Sequence, residues 1–297
     1  MCIRDSINTF TNDFIRTNNV GLNQSLRLTP RIIWLNKKGW KKVASKFSTL
    51  STLRINRKVK LDDAISAWNP FDLTISDTSL VTIASAIRNV LFFNRNHPKY
   101  DFQIGQSDNR NRNVLTTGFE SRQTKEQFIR SRWNITPVFS SQINYTRGNR
   151  NSDSELFNNR DFDIDFFKIT PQFTYLPNPK YEATLQYEWQ QAENTLADFP
   201  VVAKFHSLKF DMQYNRTQKL ALKSDFSFVN IAVTGATNPT LELTLLEGLK
   251  KGRNFLWGLT LNRQIAANVQ MSLRYEGRQT GENRTVHLGS AQVRATF

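Results

Sequence analysis

The sequence predicts an all-β fold, a transmembrane antiparallel β-barrel of up-and-down strands. Three observations lead there. Apolar and polar residues alternate through one segment after another, each about ten residues long, as half-buried strands do. Aromatic residues, among them Tyr145, Tyr175, Tyr181, Trp189, Tyr214, Trp257 and Tyr275, gather near the ends of those segments, as interfacial girdles would. Short connections alternate with longer, more polar ones. No apolar run approaches the ~20 residues of a membrane helix, so a helical span is excluded.

The segments follow in chain order. After Lys46, Phe47, Leu53, Ile55 and Val59 share one parity, while Lys46, Arg54, Lys58 and Lys60 share the other. "FFKITPQFTY" sets Phe167, Ile169, Phe173 and Tyr175 against Lys168, Thr170, Gln172 and Thr174. "YEATLQYEW" sets Tyr181, Leu185, Tyr187 and Trp189 against Glu182, Gln186 and Glu188. Leu208, Phe210, Met212 and Tyr214 alternate with Lys209, Asp211, Gln213 and Asn215; "KLALKSDFSF", "NFLWGLTLN" and "NVQMSLRYEGR" repeat the pattern. Successive strand side chains point to opposite sides, so each segment has one apolar and one polar face. A soluble sandwich would turn the apolar face into a core. A membrane barrel turns it outward to lipid, around a polar lumen. The mixture of Lys, Arg, Asp, Glu, Gln and Asn on the polar face favours the lumen.

Short turns are expected at 36–42, 107–111, 135–138, 177–180, 215–218 and 263–268. Longer connections fall at 59–98, 148–160, 193–203 and 232–253. Pro137 supports a turn inside "QFIRSRWNITPVFSSQINY", since proline donates nothing to a ladder. "PTLELTLLEGLKKG" is assigned to an external loop. With external turns at 279–284 and 16–20, the tally is about fourteen strands, an even number as in bacterial barrels. Within 59–98, Leu80, Ile83, Ala84, Ile87 and Leu91 keep helical spacing after Ser76 or Asp77, which predicts a short helix over 76–93. Residues 1–6, "MCIRDS", read as a non-native leader without the apolar region of a secretory signal, and residues 7–297 as the barrel.

The chain ends on "VHLGSAQVRATF". Ala291, Val293, Ala295 and Phe297 fall on one parity of a strand that runs to the last residue. This resembles the C-terminal signal of outer-membrane β-barrel proteins, with Ala295 where that signal usually carries a second large apolar residue. "TTGFESRQTKEQFIRSRWNIT" (116–136) and 245–297 are similar to the barrel regions of large, mostly uncharacterised outer-membrane proteins of the Bacteroidota. The resemblance implies a bacterial outer-membrane location among lipid and lipopolysaccharide. It also implies recognition of the last strand by the barrel assembly machinery, and a periplasmic N-terminal domain preceding the barrel.

Other chemistry is thinly marked. His97, His206 and His287 lie in separate segments, and no Ser/His/Asp set can be nominated. The carboxylates of 151–165 lack EF-hand spacing and read as a solvated loop. Cys2 is the single cysteine, so neither a disulfide nor a cysteine-based zinc site is available, and no cofactor is expected. The net charge is +15, and residues 1–60 carry 13 Lys/Arg against Asp5 and Asp13. A nucleic-acid face would use such a cluster. The shared parity of Lys46, Arg54, Lys58 and Lys60 reads better as a basic lumen wall, and no nucleic-acid partner is expected. The expected function is therefore a conduit, transport or surface-anchoring and assembly component without catalysis. A barrel-embedded lipid hydrolase and a soluble basic β-protein that binds nucleic acid are the alternatives.

Overall fold

The computed structural model describes residues 16–34, 38–60, 80–95, 97–115, 118–157, 160–196, 201–216, 219–235 and 239–296. They form one antiparallel sheet of 13 strands in which every strand pairs with its neighbours in sequence. The strands are β1 (Thr17–Leu28), β2 (Phe47–Lys60), β3 (Leu80–Phe93), β4 (Tyr100–Leu115), β5 (Gly118–Asn134), β6 (Phe139–Ser154) and β7 (Phe162–Asn178). They continue with β8 (Tyr181–Asn194), β9 (Val201–Arg216), β10 (Leu220–Thr234), β11 (Gly252–Ala266), β12 (Val269–Thr280) and β13 (Val286–Ala295). Helices α1 (Arg31–Trp34) and α2 (Trp40–Ala44) lie between β1 and β2, and α3 (Pro239–Leu245) lies between β10 and β11. Among the described residues β1 and β13 each pair on one side only, so the sheet is not closed.

Register turns the alternation of each strand into two continuous faces. On one face Phe173, Leu185, Phe210, Phe226 and Trp257 follow one another across β7 to β11 as directly opposed residues. The first four are 39–42% exposed, so no described part of the chain covers this row. On the other face Asp101, Arg132, Gln142, Gln172, Gln186, Lys209 and Ser227 make an equally continuous row across β4 to β10. An apolar side chain left in water forfeits the burial that stabilises folded proteins, so a continuous apolar row in the open demands an apolar surrounding.

Three glycines allow close packing across the ladder. Gly105 opposes Phe128, Gly148 opposes Phe166 and Gly277 opposes Trp257. A Cβ on Gly105 would lie 2.3 Å from Phe128, and one on Gly277 would lie 2.2 Å from Trp257. Each ring lies over its bare backbone and fixes register there.

The structure corrects two features of the expected fold and two connections. Among the described residues the tally is 13 strands, against an expected fourteen or so. The helix expected over 76–93 is replaced by β3 from Leu80 onward. Its β-branched residues Val81, Thr82, Ile83, Ile87 and Val90 suit a strand. Its two-residue period is hidden because Leu80, Val90 and Phe92 are buried on the polar face, opposite Ile87 and Leu91 on the apolar one. The turn expected at 107–111 is the middle of β4, where Asp108 opposes Lys125 and Arg110 opposes Gln123. Both faces of β4 are polar there, because the strand runs past its apolar stretch of Tyr100, Phe102 and Ile104. The external turn expected at 16–20 falls within β1. The turns at 135–138, 177–180 and 263–268 lie between the expected strands.

Candidate functional site: the polar face and its apolar plug

The polar face is apolar at one end of four strands. Ile164 and Phe166 of β7, Ala192 of β8, Val201, Ala203 and Phe205 of β9, and Val229 and Ile231 of β10 are all buried there. Each shares the parity of polar residues further along its strand, such as Lys168, Gln186, Lys209 and Asp225. Helix α3 accounts for the exception. Its Leu241 and Leu245, one helical turn apart, and the following Leu246 complete the cluster, and Leu246 is fully buried. The β10–β11 connection therefore folds back onto the polar face instead of extending away from the sheet.

Local chemistry fixes this segment. Pro239 opens α3, where a backbone donor is not needed. The helix is closed by Glu247 and Gly248, both at positive φ (53° and 80°), with the Gly248 N–H donating to the Leu243 carbonyl at 3.0 Å. The Glu247 carboxylate then accepts from Arg150 on β6 and from the buried Gln190 on β8, both at 3.3 Å. The Arg150 guanidinium lies 4.6 Å over the Phe166 ring, so one cation joins the helix turn to the cluster beneath it. Asn254, fully buried at the start of β11, donates to the carbonyls of Lys250, Gly252 and Val229.

The rest of the polar face is a network of charges and amides. Arg132 donates from Nε to the largely buried Asp101 carboxylate at 2.6 Å, and Arg130 donates to Asn144 at 3.0 Å. Lys168 pairs with Glu188 at 3.7 Å and Lys209 with Asp211 at 3.4 Å. On β1 to β5 this face carries Arg27, Arg54, Lys58, Lys60, Arg88, Arg122, Arg130 and Arg132 against Asp101, Glu120 and Glu126, so its charge is lopsidedly positive.

The expected site residues are placed as follows. Arg54, Lys58 and Lys60 project from the polar face of β2, and Arg54 opposes Ala86, next to Arg88 on the same face of β3. Lys46 precedes β2, with its ammonium 6.0 Å from the Phe93 ring, and does not join them. Ala291, Val293 and Ala295 stand on the face that carries Leu273 and Met271, and β13 is exposed along its whole length. Phe297 lies outside the described residues. Two of the histidines meet tyrosines on the apolar face: His206 Nδ1 is 2.7 Å from the Tyr187 hydroxyl and His287 Nδ1 is 2.8 Å from that of Tyr275. Of the acidic segment, Asp161 accepts the Ser154 N–H at 2.8 Å, and Asp163 and Asp165 both accept from Asn149. Among the described residues no group of three His, Cys, Asp or Glu is placed to hold a metal ion.

Sequence reasoning missed the packing of α3 on the polar face and its anchors, Arg150, Gln190 and Glu247. A signal was present. Apolar residues at 164, 166, 203, 205, 229 and 231 occupy the polar parity of three strands near the same end.

No protein-family model matches the chain, and no curated protein matches it. Several solved structures do. The β domain of the Bordetella autotransporter BrkA aligns at a TM-score of 0.38 and 9% identity, over 73% of this chain and 91% of that one. The ferric-catecholate import receptor Fiu of E. coli K12 aligns at 0.48 and 8% identity, over 95% of this chain and 57% of that one. The outer-membrane-expressed OmpT of Vibrio cholerae aligns at 0.38 and 9% identity, over 94% of each chain.

Proposed function

We propose that the chain is an outer-membrane β-barrel whose lumen is plugged by its own β10–β11 connection. It serves as a conduit or surface anchor and not as a catalyst. One observation carries this reading: a continuous apolar row across β7 to β10 that is about 40% exposed, backed by a charged and amide-rich face. Lipid and lipopolysaccharide are the partners that such an apolar face fits, with the polar face lining an aqueous interior. The barrel is the C-terminal part of a longer protein of the Bacteroidota type, with a periplasmic domain before it. Arg54, Lys58 and Lys60 then form part of a basic lumen wall.

The plug supplies the test of conduction. Refolded wild-type protein should insert into planar lipid bilayers and conduct poorly. The pair Leu245→Asp and Leu246→Asp places two carboxylates in the buried cluster, where an unpaired charge is not tolerated. It should raise the unitary conductance. Equal conductance in both proteins, with both inserted, would remove the plug from the mechanism. Failure of the wild type to insert would remove the barrel reading itself.

β13 carries the assembly role. Among the described residues it pairs on one side only, so its other edge can take another strand, and Ala291, Val293, Ala295 and Phe297 supply the alternating signal. Deleting Phe297 should lower the amount of barrel in the outer membrane while synthesis stays constant. Undiminished barrel at the cell surface would argue against the signal.

A further inference from the structure

At the opposite end of the sheet from α3, a cleft of about 360 Å³ opens between the β1–β2 connection and the β3–β4 turn. Arg27, Arg31, Lys42, Lys46, Arg95 and His97 line it, and among the described residues no carboxylate does. The first four come from the β1–β2 hairpin and the last two from the β3–β4 turn, so the fold, not a run of sequence, gathers them.

Charge alone would leave a solvated basic patch. The second observation is a set of polar atoms buried without a partner. Ser48 and Asn94 are 5% and 7% exposed, and both line the cleft. Among the described residues the Ser48 hydroxyl, the Asn94 Nδ2 amide and one terminal nitrogen of Arg95 are buried with no hydrogen-bond partner. Buried donors are nearly always satisfied, so three at one place call for an acceptor from outside the chain. The surrounding contacts hold them in position. Asn94 sits at φ 54°, its N–H donates to the Lys46 carbonyl at 2.9 Å, and its carbonyl accepts from the His97 N–H at 2.9 Å. Only its side-chain amide is left to offer. The Arg95 guanidinium lies 4.4 Å over Phe92, which fixes its plane. His97 accepts the Lys99 N–H on Nδ1 at 3.3 Å, so the neutral ring carries its proton on Nε2.

We propose that this cleft binds a phosphate group. A tetrahedral oxyanion accepts from several directions, which matches a fixed guanidinium fork, an amide, a hydroxyl and mobile ammonium groups around one space. The same chemistry is offered by free phosphate and by an anionic phospholipid headgroup. The site stands on the described strands and turns, and does not depend on what meets the apolar face.

The test uses the full refolded chain in two arms. The first titrates inorganic phosphate in a detergent with an uncharged headgroup, read by calorimetry. The second compares binding of phosphatidylglycerol with phosphatidylcholine in nanodiscs. Arg95→Gln should weaken binding on the order of tenfold, as expected when a charge-assisted bond is lost. Asn94→Gly keeps the positive φ and should weaken it less. The exposed Lys42→Gln should weaken binding with no effect on folding, and Lys180→Gln, at a distant turn, should change nothing. Binding of phosphate alone identifies a soluble ligand; a preference for phosphatidylglycerol alone identifies a headgroup; either supports the site. Absence of saturable binding in both arms overturns it. So does binding that Arg95→Gln and Lys42→Gln leave unaltered.

Discussion

Leu273→Arg should destabilise the refolded protein by roughly 2–4 kcal/mol, and Ser272→Arg by clearly less. The two positions are adjacent on β12 and face opposite ways. Leu273 opposes Leu261 and Ala291 on the apolar face, and 36% of it is exposed to whatever surrounds the sheet. Ser272 meets Asn262 on the polar face, one step from the Arg274–Glu276 pair. A cation at mid-membrane loses its hydration on the first face and keeps it on the second. Denaturant titrations in liposomes measure the difference. Equal losses would deny the two faces their different surroundings. A soluble sandwich would also punish Leu273→Arg, so a quenching scan completes the experiment. With a lipid-phase quencher, labels at 271, 273 and 275 should be quenched strongly and labels at 270, 272 and 274 weakly. A flat profile or the opposite phase would end the membrane reading.

Gly148→Val should cost about 1–3 kcal/mol, in the range of overpacked cores, and should also loosen the plug. A Cβ at Gly148 would lie 2.5 Å from the Lys125 carbonyl oxygen and 2.7 Å from the Phe166 ring. The carbonyl belongs to the β5 ladder and cannot give way cheaply, so the β6 backbone and the ring must both shift. Phe166 is part of the cluster under α3, and Arg150 lies against its face while binding Glu247. The substitution should therefore combine lower stability with faster protease cleavage near α3. Gly289→Val is the comparison, since a Cβ there meets nothing within 4 Å. Equal stability of the two variants would show that the contact at Gly148 does not constrain the sheet.

Much of the sheet was legible because its chemistry repeats every two residues. Leu261, Leu273 and Ala291 share one face and Asn262, Ser272 and Gln292 the other, as their parity predicts. The segment beginning at Pro239 was recognisable as lying outside the strands. Failures came where a strand departs from a simple two-faced setting. β3 is apolar on both sides, so its spacing imitates a helix. The centre of β4 is polar on both sides, so Ser107–Asp108–Asn109 imitates a turn. These two errors offset each other in the strand tally, since one strand was missed and another divided. The remaining difference is a strand expected before residue 16, outside the described residues. The phosphate cleft was illegible for another reason. Arg31 and Arg95 are far apart in the chain, and only the pairing of β2 with β3 brings their connections together. Asn94 carries no signal of burial, because its side chain is set by a turn conformation that sequence does not display.

The position of α3 on the β10–β11 connection makes it a ligand tethered to its own receptor. A free helix of seven residues would be too short to persist in water, let alone to bind. Joined at both ends to the strands it covers, it has an effective concentration in about the millimolar range or above. Dilution cannot remove it, and a soluble competitor must overcome that local excess. Opening is then a unimolecular event, governed by the local stability of Leu241, Leu245, Leu246 and the Glu247 contacts, and independent of the stability of the sheet as a whole.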